Sequence, residues 1–117
     1  MFMDMKEAEE LVSLKNSIER LMNNRDFKKV ITLQYNEKEA ARLAKALANP
    51  EMQEDIDQRI IKEKLAAIGH LDAWLDTKLR LGRQVEKELK EAEEEKAKED
   101  MEEPEVDEIT GEEIGVN

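Results

Sequence analysis

Apolar residues recur at helical spacing along most of this chain. Leu11, Leu14, Ile18 and Leu21 are three or four residues apart, with Val12 and Met22 widening the stripe. Asp4 stands at the N-cap position and Glu7, three residues on, completes a capping box. The pattern therefore predicts a first helix over about residues 4–23, broken at Asn23-Asn24. In the next segment Asp26 is placed to cap a short helix carrying Phe27, Val30 and Ile31. VITLQY is rich in β-branched residues and reads equally as a short extended piece. With no second strand to pair with, a helix or irregular turn is favoured.

Asn36-Glu37-Lys38-Glu39 has capping-box spacing and predicts a further helix start. Ala40, Leu43, Ala44 and Leu47 form its narrow inner face. Asn49-Pro50 is the clearest punctuation: proline disfavours the helical conformation before it and suits the first turn after it. Beyond it, Ile61, Leu65, Ile68, Asp72, Leu75, Leu79, Gly82, Glu86 and Leu89 step by four and three, with Leu71, Trp74 and Val85 beside that line. Gly69 and Gly82 each cost a helix about 1 kcal/mol relative to alanine. They mark either helix ends or close packing. A break at Gly69-His70 is favoured, because an unbroken rod leaves its apolar face short of partners in a monomer.

Charge divides the chain. Residues 86–117 hold 15 acidic and 4 basic residues, a net of −11, whereas residues 1–85 balance 15 acidic against 15 basic. After Leu89 the apolar period stops, KEAEEEKAKEDMEE reads as a solvated helix former, and Pro104 ends it. EVDEITGEEIGVN has the low hydrophobicity and high charge of a disordered segment, punctuated by Val106, Ile109, Ile114 and Val116. The fold class expected is all-α: a small helical bundle or long helical hairpin over residues 1–97, with an acidic, disordered tail over residues 98–117. Three readings of the tail stand: a solubilising extension, a short linear motif that orders on a partner, and charge mimicry of a phosphate backbone.

The chain has one histidine and no cysteine, which excludes disulfides, thiolate metal sites and a Cys-His pair. His70, beside Gly69, reads as a helix-end residue rather than a general base. Ser13 and Ser17 lie within the first helix, and no glycine-rich phosphate loop is present. Glu51, Glu54, Asp55 and Asp57 sit where acidic side chains complement a helix N-terminus, without the spacing of a calcium loop. No enzyme activity, cofactor or metal is expected. Arg25, Lys28 and Lys29 are too few for direct nucleic-acid binding against this charge balance. The N-terminus lacks the basic flank and apolar run of a signal peptide, and no stretch approaches a membrane span. A soluble intracellular protein is expected. It would bind a protein partner or a second copy through apolar helical faces, with Phe27, Tyr35, Trp74, Ile109 and Ile114 as candidate contact residues.

The stretches LMNNRDFKKVI, EAARLAKALANPEMQ and IIKEKLAAIGHLDAWL, spread over residues 19–89, resemble small helical proteins encoded by tailed bacteriophages among their virion and packaging genes. The resemblance implies a non-enzymatic accessory protein of virion or head assembly, in the host cytoplasm or on the virion, and brings no catalytic residue with it. The alternative is an inhibitor of a host nucleic-acid-binding or defence enzyme that uses the acidic tail as a charge mimic.

Overall fold

The computed structural model describes the backbone of residues 3–116 and the side chains of residues 3–101. It is all-α, with no strand among the described residues. Helix α1 spans Met5–Met22. Helix α2 occupies residues 25–47 as a short α-turn (Arg25–Phe27), a π-wound stretch (Lys28–Glu39) and an α-helical end (Ala40–Leu47). After a 3₁₀ turn at Pro50–Met52, helix α3 runs Asp55–Val116. Residues 98–101, the start of the expected tail, continue this helix with exposed side chains, and the rest of that tail, with Pro104 and the candidate contacts Ile109 and Ile114, lies outside the residues whose side chains are described.

The starts of these helices follow local chemistry. Asp4 Oδ1 accepts the Glu7 backbone N–H at 2.8 Å, so the expected cap forms. At α2 the cap is Asn24 rather than Asp26: its Oδ1 accepts the N–H groups of Asp26 and Phe27 at 2.9 and 3.0 Å. Asn24 has the extended backbone a cap requires, which places Asp26 inside the first turn, where its charge suits the helix dipole. Asn49 Oδ1 caps the Pro50 turn through the Glu51 N–H at 3.0 Å. Two glutamines then fasten that turn. Gln53 and Gln58 each donate to the Leu47 carbonyl, at 3.0 and 3.1 Å, filling a helix-end acceptor that would otherwise be orphaned.

Asn36 does not open a helix. It lies inside the π-wound stretch, and Glu39 pairs bidentately with Arg42 at 2.7 Å instead of reaching back to it. VITLQY is helical, but each turn takes more than the 3.6 residues of an α-helix because hydrogen bonds run to the fifth residue. Inward positions therefore step from Phe27 to Ile31, then to Tyr35 and Asn36, then to Ala40, while Val30 and Thr32 face solvent. Asn36 Oδ1 is buried without a hydrogen-bond partner. At the α-helical end Ala46, not Ala44, joins Leu43 and Leu47 on the packed side.

The break expected at Gly69 is absent, and α3 runs through it. Its partner is supplied by α1 and α2 laid end to end, both antiparallel to it. Ile18 packs on Leu75 and Leu79, with Leu14, Phe27 and Leu71 around them. Leu43 packs on Ile61 and Ile68, with Tyr35, Ala40, Ala46, Leu47 and Leu65 around them. The result is a long helical hairpin whose first arm is interrupted at Asn23-Asn24. Two separate apolar clusters hold it, and α1 and α2 meet chiefly through α3, with Phe27 of α2 packed into the cluster around Ile18.

The two polar positions in the core line of α3 have distinct reasons. Asp72 is exposed at the end of α1, beside Met22, where the cover on α3 is interrupted. Glu86 accepts from Lys15 Nζ at 3.0 Å, and Lys15 also pairs with Glu19 at 3.3 Å. Glu19 in turn pairs with Arg83 at 3.1 Å. Lys15 is only 5% exposed, so its ammonium depends on these carboxylates. Gly82 makes room for it: a Cβ there would overlap the Lys15 side chain and lie 2.9 Å from the Leu11 carbonyl oxygen.

This ion-pair group sets a pH dependence. The hydrogen bond from Arg83 holds the Glu19 carboxyl below its ordinary value of 4.5, and the hydrogen bond to Glu86 raises the Lys15 ammonium above 10.5. A lowered carboxylate adds stability above its unfolded value and loses it as pH falls through the folded one; a raised amine adds stability below 10.5 and loses it as pH rises beyond. Thermal melts across pH are expected to show a plateau between these limits. The acid-side loss should shrink in Arg83→Met, which removes the first cause of the Glu19 shift.

Candidate interaction surface

The hairpin covers one face of α3 and leaves another apolar stripe in solvent. In heptad notation Leu65, Asp72, Leu79 and Glu86 take position a, and Ile61, Ile68, Leu75, Gly82 and Leu89 take position d. The residue before each of the first four d positions is Ile60, Ala67, Trp74 or Leu81. These four, all at position c, are exposed, the three large ones at 40%, 44% and 38%. A heptad spacing keeps them in register with the core seam along its whole length, rather than spiralling into it. The next c position is Glu88, and every side chain from Lys90 to Met101 is exposed, so the stripe ends where the acidic stretch begins.

Its neighbours one helical turn away include Asp57, Glu63, Lys64 and Lys78, so charge rims the stripe. Ala66, His70, Ala73 and Thr77 lie on its solvent side, all exposed. Lys78 Nζ lies 6.0 Å from the centre of the Trp74 ring, at the outer limit of a cation–π contact. Glu63 and Arg59 form a loose exposed pair at 3.8 Å beside Ile60. Single exposed apolar residues need no explanation, but an aligned set of this length is the kind of surface that mediates association. From Ile60 to Leu81 the stripe covers about 32 Å of helix.

The structure separates the sequence-derived contact residues. Trp74 is central to the exposed stripe, whereas Phe27 packs into the cluster around Ile18 and Tyr35 into the cluster around Leu43. Ile60, Ala67 and Leu81 were missed as surface residues, although their spacing of seven with Trp74 was readable. Among the described residues no group of three His, Asp or Glu residues converges on a point where a metal ion would fit, and no helix is long and apolar enough to cross a membrane. No family model, curated protein or solved structure matches this chain.

Proposed function

We propose that this chain is a non-enzymatic interaction protein that works through the outward face of α3, in virion or head assembly of a tailed phage. The observation that carries the interaction reading is the exposed, heptad-spaced stripe of Ile60, Ala67, Trp74 and Leu81 on a helix already packed on its other side. The phage setting rests on the sequence resemblance over residues 19–89, and it implies a place in the host cytoplasm or on the particle. Capture of the tagged full-length chain from infected cells is expected to recover capsid, portal or packaging proteins. Leu81→Glu, which changes an exposed position, should lose them. Recovery unaffected by Leu81→Glu, or a chain absent from particles and their precursors, would overturn this reading.

A second reading is favoured by one observation, the net −11 of residues 86–117. An inhibitor that mimics a phosphate backbone would bind a host nucleic-acid enzyme through that segment. Its binding would be lost on deleting residues 91–117 and weakened by salt, because exposed charge contacts are screened.

A further inference from the structure

The face that α1 turns to α3 is not the most apolar face the helix has. Its seam positions are Ala8, Leu11, Lys15, Ile18 and Met22, stepping by three and four, with Ala8, Lys15 and Ile18 buried. A second set, Glu7, Leu11, Leu14, Ile18 and Leu21, shares two of these positions and carries four branched aliphatic side chains and no lysine. Yet Leu21 is 45% exposed, while Lys15 on the same helix is 5% exposed. Successive residues lie about 100° apart around a helix, so the centres of the two faces differ by about 50°. We infer that α1 is a two-position helix, held in its present position by charge and turned by about 50° when that charge is lost, so that Leu14 and Leu21 go in and Lys15 comes out.

The ion pairs and the leucines pull on opposite flanks. Two pairs cross from α1 to α3, Lys15 to Glu86 at 3.0 Å and Glu19 to Arg83 at 3.1 Å. Lys15 and Glu19 are one turn apart on one side of the seam, and Leu14 and Leu21 lie towards the other. Gly82 leaves the space that the Lys15 stem occupies, so α3 is shaped to the charged position. With both carboxylates neutral, the Lys15 ammonium would be buried without a counter-charge, and Leu21 would gain by leaving water. Packed helices move between discrete arrangements rather than by continuous drift, and rotation about the helix axis answers both demands at once. Acid is the trigger. The charged groups linked to Lys15 are Glu19 on its own helix, Glu86 on α3, and Arg83 of α3 through Glu19. α2 reaches the Ile18 cluster through Phe27, which is uncharged.

Methyl NMR of the full chain reads the position of α1. At neutral pH, Met22 is expected to show cross-peaks to Leu79, with which it lines one shallow cavity, and Leu21 none to Leu75. Glu19→Gln/Glu86→Gln stands in for the protonated carboxylates. In that variant the Met22–Leu79 cross-peaks should be lost and Leu21–Leu75 cross-peaks gained, with helical circular dichroism unchanged. Cross-peaks between Leu43 and Ile61 should persist as the internal control for an intact α2. Lowering the pH of the natural chain below the ordinary carboxylate value of 4.5 should produce the same exchange, reversibly. An unchanged pattern in the double variant, as when Lys15 alone swings to water, would overturn the inference. So would loss of every cross-peak between α1 and α3, which means release rather than rotation, or an acid form that keeps the neutral pattern.

Discussion

Leu43→Ala is expected to lower the stability of the chain by about 2–5 kcal/mol, the range for deleting a buried leucine side chain. Leu43 is the most buried residue of its cluster, where it meets Ile61 and Ile68 of α3. The small residues beside it, Ala40 and Ala46, have no atoms with which to fill the gap, although α2 can move inward to close part of it. The effect should also be local. The cluster around Leu43 shares no residue with the cluster around Ile18, Leu75 and Leu79, and α1 and α2 are joined chiefly through α3. Hydrogen exchange is therefore expected to speed up over residues 28–47 well before residues 5–22, as for a unit that opens on its own. Equal loss of protection in α1 and α2 would show instead that the two clusters unfold as one.

Gly82→Ala is expected to destabilise the hairpin by up to about 2 kcal/mol, against the usual sign for this exchange in a helix. Alanine in place of glycine favours a helix by about 1 kcal/mol. At position 82 the added Cβ would overlap Lys15 and lie 2.9 Å from the Leu11 carbonyl oxygen. A lysine stem can swing aside, but a helix carbonyl moves only with α1 itself. Overpacking of this kind costs about 1–3 kcal/mol, which offsets or exceeds the propensity gain. Moving α1 outward would also strain the Lys15–Glu86 bond, so the damage reaches the ion-pair group. Gly69→Ala provides the control: nothing lies within 4 Å of a Cβ there, and it should stabilise by about 0.5–1 kcal/mol. Thermal or denaturant unfolding at one fixed protein concentration measures both variants, and a gain from Gly82→Ala would mean that α1 does not sit so close to α3.

These two glycines show what the sequence could and could not convey. Both appeared as interruptions of one helical period, and a local reading weighs them alike. What separates them is whether α1 crosses nearby, which is a tertiary fact. The all-α fold, the Asp4 cap and the turn at Asn49-Pro50 were legible because each depends on a few adjacent residues. The absence of a break at Gly69 was not, since it depends on two separate helices lining up to cover one long face. Asn36 misled for a related reason: its capping-box spacing is real, but the π-wound stretch around it continues the helix instead of starting one.

The aromatic residues followed the same division. Phe27, Tyr35 and Trp74 are equivalent as composition, and only packing distinguishes the first two, which fill the clusters, from the third, which does not. The stripe that contains Trp74 was open to detection. Its signal is a second apolar heptad line, one position before the core d residues. Reading the dominant 3–4 period alone absorbs that line as breadth of the core face.

Trp74 is the only tryptophan in the chain and stands in the middle of the exposed stripe, so its fluorescence tests the central claim most directly. Emission of the full-length chain should move to shorter wavelength when the proteins captured with it from infected cells are added, as the ring leaves water for the face of a partner. Leu81→Glu should hold it at the solvent-exposed position throughout. Emission that stays at the exposed position with the partner in excess would contradict the assignment of this face as the contact surface.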